Sequence, residues 1–301
     1  IIGQLALSEG VAPHKAINSS PDDLDYRLLM RAGLLLASTQ IEEPLVVTTG
    51  FPFSTYQINR QRAVDLIGKS VKVTFDTTTY GGRDQQTRTI QVSKLDVLPE
   101  IVGCIIGLRN GERQQKDAFF MASIGYGTFE ACLSTEGGIV QRTMVSVSGV
   151  RYAVEIATRE LMQTHYLGMR TEHQLDVAFH EGSLVAQRKR IDVTGIRRRA
   201  LERYYDDVIS PVLRNTWTDN DFGRTNKLMI AGGGSEYPEL IDRFRAEFGE
   251  ILDIEVADDP MTLAGRGFCL RSVDLAGGNA GAAVGLDVGN AQTVVALMNG
   301  G

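Results

Sequence analysis

The chain has 301 residues, enough for two domains of ordinary size, and its 43% hydrophobic and 23% charged composition is that of a globular protein. A formal net charge of −6 argues against nucleic-acid binding through bulk charge, and no apolar run is long enough to cross a bilayer. Three scattered cysteines, Cys104, Cys132 and Cys269, lack zinc-site spacing and suit a reduced, cytoplasmic setting; no signal peptide is visible.

In chain order, Ile1–Ala6 reads as a short strand. Ser20-Pro21 supplies an N-cap and first-turn proline for a helix to about Ser38, with Leu24, Leu28, Ala32 and Leu35 on one face. Leu45–Thr49 is a strand closed by Gly50 and Pro52, Tyr56–Ile67 a helix, and Val71–Asp76 and Thr87–Val97 strands joined by a turn at Tyr80-Gly81-Gly82. Glu100 follows a Leu-Pro step, where the plain reading is a solvated loop residue. Phe119–Leu133 reads as strand, glycine-rich turn, strand. Ile139–Val147 reads as a strand meeting Ser148-Gly149, and a helix then carries Val150, Ala153, Val154, Ala157 and Leu161 inward. Gly149 is either a backbone contact to a ligand or a plain cap.

Glu172–His180 is a predicted helix, and His165, His173 and His180 do not converge with other ligands. Arg188-Lys189-Arg190 and Arg197-Arg198-Arg199 form one basic cluster, read first as a solvated helix face. DNA binding ranks last for it, because aromatic interleaving is absent. The helix continues through Leu201, Tyr204, Val208 and Val212, with a kink near Pro211. Leu228–Ala231 is a buried strand running into Gly232-Gly233-Gly234, and a helix capped by Ser235 ends at Gly249. Leu252–Val256 is a strand. Asp259-Pro260 starts the last helix, whose Ala264, Gly265 and Gly267 permit close backbone approach. Residues 274–283 read as a flexible linker, and Val284–Met298 as strand, Gly289-Asn290 turn, strand.

That last hairpin carries the chemistry. Asp287 ends a buried strand just before a turn whose backbone N–H groups can cradle an anion. A carboxylate does not pair with phosphate, but it can hold the water shell of a metal ion. Ile124-Gly125-Tyr126-Gly127-Thr128 parallels Val288-Gly289-Asn290-Ala291-Gln292, which suggests a duplicated fold with a phosphate held between its halves. The run Gly232 to Gly234 is the third piece, where backbone must approach something closely.

Together these pieces resemble the actin-like ATPases, which share the actin, sugar-kinase and Hsp70 fold. The hairpins resemble the superfamily's two phosphate motifs, and the glycine run its adenosine motif. Ile2-Gly3-Gln4-Leu5-Ala6, Thr49-Gly50-Phe51-Pro52, Leu98-Pro99-Glu100 and Pro260 to Gly267 resemble landmarks of the plasmid-segregation (ParM/StbA-type) and archaeal branch. The order departs from the family: the first phosphate hairpin closes the chain, so the sequence looks circularly permuted. Ser123 stands where the family's second hairpin carries Asp.

The resemblance implies an α/β, actin-like fold of two α/β domains around a nucleotide cleft. Residues 1–117 would form domain I, with a small subdomain at 51–98, and 118–258 domain II. Residues 259–301 would return to domain I through the 274–283 linker and the permuted hairpin 284–301. It implies ATP or ADP with Mg2+, the metal held through water by Asp287. The phosphates would be gripped by Gly289, Asn290, Ala291, Gln292 and by Gly125, Tyr126, Gly127, Thr128, with Gly149 as a further contact. Gly232, Gly233 and Gly234 would face adenosine. Glu100 would orient the attacking water, and Ser123 in place of Asp would slow an ATPase more than it weakens binding. A cytoplasmic, filament-forming protein of the plasmid-segregation or bacterial cytoskeleton type follows, with an adaptor joining it to DNA or other cargo and no direct contact to nucleic acid. The basic cluster then becomes a filament contact or phosphate-facing rim. The alternatives are a small-molecule kinase, for which no acceptor base stands out, and a pseudo-ATPase scaffold, suggested by Ser123. A chaperone ATPase lacks its substrate-binding domain here.

Overall fold

The computed structural model describes residues 2, 3, 6, 20–76, 85–164, 172–186 and 188–298. The elements are α1 (Leu24–Ser38), β1 (Leu45–Phe51), α2 (Phe53–Ile67), β2 (Ser70–Asp76), β3 (Gln85–Pro99), α3 (Glu100–Asn110), β4 (Phe119–Ile124), β5 (Thr128–Thr135), β6 (Gly138–Ile139), β7 (Val145–Ser148), α4 (Arg151–Thr164) and α5 (Glu172–Glu181). They continue with β8 (Ser183–Ala186), β9 (Lys189–Asp192), α6 (Thr194–Tyr204), α7 (Ser210–Thr216), α8 (Asp219–Phe222), β10 (Lys227–Ala231), α9 (Pro238–Phe248), β11 (Asp253–Val256), α10 (Leu263–Leu275), β12 (Ala283–Val288) and β13 (Thr293–Leu297). The described chain divides into two compact units, one containing 117–260 and the other 18–116 with 261–301.

The discontinuous unit is built on a sheet ordered β13-β12-β1-β3-β2. Its middle strands β12, β1 and β3 are mutually parallel, with Thr49 opposite Leu286 and Phe51 opposite Pro99. Their carboxyl ends therefore lie side by side. β1 is buried along its whole length, as a strand covered on both faces must be. Tyr26, Met30 and Leu34 of α1 pack on one face with Val47, Val284 and Leu286. α10 meets α3 and β12 by backbone contact: a Cβ on Gly267 would strike Gly103 O, and one on Gly285 would strike Gly265 O. Gly265 and Gly267, read as permitting close backbone approach, thus serve close packing inside this one unit.

The continuous unit carries β11-β10-β4-β5-β6, with β7 on β5 and the β8–β9 hairpin apart. β10 and β4 are parallel, Ala231 facing Ser123. Phe120, Ala122, Phe129, Leu133, Leu228 and Ile230 face a core closed by Tyr204, Tyr205, Leu240 and Phe244.

Several sequence expectations need correction. Ala6 is helical, with its N–H on Gly3 O, and the rest of the strand expected at Ile1–Ala6 lies mostly outside the described residues, as does the Tyr80-Gly81-Gly82 turn. The strand expected over Ile139–Val147 is split by a 3-10 turn, Gln141–Thr143. Arg188, Lys189 and Arg190 sit on the β8–β9 hairpin rather than a helix, and only Arg197, Arg198 and Arg199 are helical. The kink expected at Pro211 takes the form of a π turn, Tyr205–Ile209, just before it; proline has no N–H to continue an α-helical ladder. α10 begins at Leu263, and Asp259 adopts a left-handed φ of 47° in the preceding turn. The supposed flexible linker is a short ordered connection, in which Gly278 N–H donates to Val273 O and the Asn279 side chain caps a 3-10 turn.

Candidate functional site

The two hairpins close the same way. In β12–β13, Gly289 N–H donates to Gln292 O at 3.0 Å. In β4–β5, Gly125 N–H donates to Thr128 O at 2.8 Å. Asp287 and Ser123 therefore hold the same place, two residues before the turn glycine. Both glycine amides are engaged in closing their turns, which leaves Asn290, Ala291 and Gln292 in one hairpin and Tyr126, Gly127 and Thr128 in the other as the remaining turn positions expected to face an anion.

The residues opposite differ. Asp287 faces Val294, whereas Ser123 faces Glu130. Glu130 is 1% exposed and shares the Ser123 face of the sheet, so the second hairpin also carries a carboxylate, on its other strand. Its charge and, first, burial push the Cys132 thiol upward.

Gly149 is explained by packing. Its N–H donates to Gly127 O, and the next two amides, of Val150 and Arg151, donate to Gly125 O and Tyr126 O. The start of α4 thus braces the turn, and a Cβ on Gly149 would lie 2.6 Å from both Thr128 N and Tyr126 O. Gly232 is similar. It has φ +84°, its N–H donates to Pro260 O at 2.9 Å, and a Cβ there would lie 2.7 Å from the Ile124 carbonyl carbon. The glycine run crosses the end of β4 beside Ser123. Gly233 begins a half-buried 3-10 turn, Gly234 packs on the Ile124 side chain, and Ser235 Oγ donates to Gly232 O at 2.7 Å.

In the discontinuous unit the carboxyl ends of β12, β1 and β3 bring Asp287, Thr49 and Glu100 to one edge, the usual place for ligands on open α/β sheets. Glu100 is not a loop residue: it opens α3, half-buried, with Pro99 extended before it. Tyr26 comes down from α1 and stacks near Phe51, ring centroids 5.4 Å apart. Its hydroxyl lies beside Thr49 and within electrostatic reach of Glu100 and Asp287. Burial, more than either charge, raises the phenol pKa, and the Thr49 hydroxyl lowers it. Thr49 Oγ1 nevertheless lacks the geometry of a made hydrogen bond. Tyr26 Oη, Thr49 Oγ1 and Thr293 Oγ1 are all buried without a partner. Burial also pushes the Asp287 carboxyl up to about 6.

Such a set fits a hydrated cation with phosphate. Among the described residues no three His, Cys, Asp or Glu side chains converge as a ligand group, so the protein alone makes no metal cage. A Mg2+ site of one carboxylate, waters and substrate phosphate oxygens needs none. Orphaned hydroxyls and a desolvated carboxylate are what such waters and a cation would satisfy.

Outside this edge, His180 sits 3.3 Å from Glu236 on the surface, while His165 and the side chain of His173 lie outside the described residues. Arg197 pairs with Glu239 at 2.9 Å and Arg199 with Glu160. No helix among the described residues is long and apolar enough to cross a membrane.

No family model matches the chain, and no curated protein matches it. Solved structures do. A ParM non-polymerisable quadruple mutant from pCBH aligns with a TM-score of 0.70 at 16% identity, over 91% of this chain and 82% of that one. The fold is actin-like. Ta0583, an archaeal actin homolog, aligns at TM-score 0.64 and 19% identity over 85% of this chain and 77% of its own, and its complex with ADP at 0.62 and 18% over 85% and 78%. A MamK double helical filament gives 0.60 at 17% identity over 85% and 78%. The actin-like fold implied by the motifs is thus the fold observed.

Sequence reasoning missed Tyr26 and Glu130, and gave Thr49 no role beyond a family landmark. Glu130 was legible in principle, since a four-residue turn at 125–128 sets Ser123 opposite it. Tyr26 has no local signal, because only the packing of α1 on β1 brings it to the edge.

Proposed function

We propose that this actin-like chain binds Mg-ATP or Mg-ADP, hydrolyses ATP and assembles into filaments of the plasmid-segregation or bacterial cytoskeletal type. The observation that carries this reading is the edge where Asp287 lies one residue before the end of β12 and its turn, and Glu100 follows the end of β3. Asp287 would hold the metal's water shell. The turns at Asn290 to Gln292 and Tyr126 to Thr128 would face phosphates, and Gly232 to Gly234 the nucleoside. Bound Mg-nucleotide would supply the phosphoanhydride bond and the metal's charge. The chain's part is positioning: Glu100 holds and orients water, and buried walls exclude the rest.

The β12–β13 hairpin is read as the fold's first phosphate hairpin in permuted chain order. Filaments on an ADP-binding fold are supported by the MamK filament and the Ta0583–ADP complex. A cytoplasmic filament would reach DNA or other cargo through an adaptor. A pseudo-ATPase scaffold is less favoured, because Glu130 supplies the acid that Ser123 lacks. Pelleting with and without Mg-ATP, alongside phosphate release, tests the reading. A protein that neither binds nucleotide nor pellets rejects it, and one that binds and pellets without releasing phosphate is the scaffold.

A further inference from the structure

Tyr26 and Thr49 lie on different elements, α1 and β1, yet their hydroxyls meet at the carboxyl edge of the sheet. Tyr26 is 1% exposed and Thr49 0%, and neither oxygen has a hydrogen-bond partner. Burying such a hydroxyl unpaired costs about 1–3 kcal/mol, so two side by side call for a partner such as a water. Packing alone needs neither: phenylalanine would keep the ring against Phe51, and valine would keep the shape of Thr49.

What surrounds the pair restricts what it can bind. Asp287 and Glu100 flank it, and both favour a hydrogen-bond donor or cation over an anion. Thr49 is in register with Leu286, one residue from Asp287, and Phe51 with Pro99, one residue from Glu100. We propose that the Tyr26 and Thr49 hydroxyls form a neutral polar subsite that seats one water molecule between Asp287 and Glu100. Each hydroxyl can donate to this water, the two together filling its two lone pairs. The water can in turn donate to the two carboxylates, which ties the metal side of the site to the side that orients the attacking water. Tyr26 and Thr49 are positioning residues in this arrangement, touching neither phosphate nor metal.

The inference rests on the nucleotide reading above, and four proteins separate the two: wild type, Tyr26→Phe, Thr49→Val and the double variant. Each is measured for its nucleotide-free thermal midpoint, Mg-ADP affinity, and KM and kcat of phosphate release. The subsite predicts a nucleotide-free midpoint within about 3 °C of wild type in both variants, since each loses only a hydroxyl and its bond to one water. It predicts Mg-ADP affinity and KM within about threefold of wild type and kcat reduced at least about tenfold. The double variant should lose little more than the worse single one, because both hydroxyls hold the same water. A midpoint lowered by more than about 3 °C with kcat unchanged would mean an internal structural pair and overturn the subsite. Unchanged kcat with an unchanged midpoint would overturn it equally. A wild-type protein that binds no Mg-ADP rejects the nucleotide reading itself, and the subsite with it.

Discussion

The β12–β13 and β4–β5 hairpins share a turn but differ in support and in where they keep their acid. β4–β5 lies inside its sheet, with β5 buried from Phe129 to Ser134, and its turn carbonyls accept the first three amides of the α4 end. β13 is an edge strand, half-buried throughout, and its turn is tied back by Gln292 Nε2 donating to Met261 O. The braced hairpin sets a serine on the first strand and a glutamate on the second; the edge hairpin sets an aspartate on the first and Val294 on the second. The same turn thus accommodates a carboxylate on either strand.

The difference in bracing gives the largest expected effect. Gly149→Val should drive a side chain into Gly125, Tyr126 and Thr128 and cost at least about 3 kcal/mol, read as a fall in denaturant midpoint. The matching change in the edge hairpin, Gly289→Val, should cost less, since its Cβ would lie 3.2 Å from Gln292 O and only that atom need shift.

Relocation of the acid is tested next. Glu130→Gln should lower phosphate release at saturating Mg-ATP by roughly tenfold to a hundredfold, about 1.4–2.7 kcal/mol, with little change in affinity. Ser123→Asp alone would place a second carboxylate across from Glu130 and should destabilise the fold. Combined with Glu130→Val it reproduces the edge-hairpin pattern and should recover turnover over Glu130→Gln. No recovery in a folded double variant would mean that the strands are not interchangeable.

Asp287 supplies a pH test. Its folded value, about 6, stands above the ordinary 3.8, so the fold favours the neutral acid. That contribution is complete below about pH 3.8 and lost as pH rises through 6, and at pH 7 the ionised group destabilises the nucleotide-free protein. Asp287→Asn should therefore raise the nucleotide-free stability at pH 7 by on the order of 1–3 kcal/mol, abolish this group's share of the pH 4–7 dependence, and weaken Mg-nucleotide binding. Gln292→Leu, which removes only the exposed tie to Met261 O, should change stability by about 0.5–1 kcal/mol.

Much of this molecule is local and therefore legible. Alternation in Val284-Gly285-Leu286 and the Gly289 turn define a hairpin without tertiary help, and so do Ile124-Gly125 and the strands around them. The glycines were read as sites of close approach, and the structure adds a protein neighbour at each: Gly149 and Gly232 meet protein backbone, and Gly265 and Gly267 pack within one unit. A sequence registers that room is needed, not what occupies it. Arg188 to Arg190 were misplaced because a run of cations has no period, and the adjoining Leu184-Val185-Ala186 is too short to announce a strand. Tyr26 and Glu100 are 74 positions apart, and only the completed sheet brings them together.

The π turn at Tyr205–Ile209 acts on its helix as a frameshift acts on a reading frame. It holds one residue more than an α-helical turn would, so everything after it is rotated by about 100° relative to an uninterrupted helix. This phase shift lets Tyr204 and Tyr205, consecutive residues, both lie fully buried, and still delivers Ile209 and Leu213 to the same core. Suppressing the wide turn while keeping all five residues would turn Leu213 away from that core; deleting one residue between 205 and 209 would restore a regular helix with Leu213 still in place.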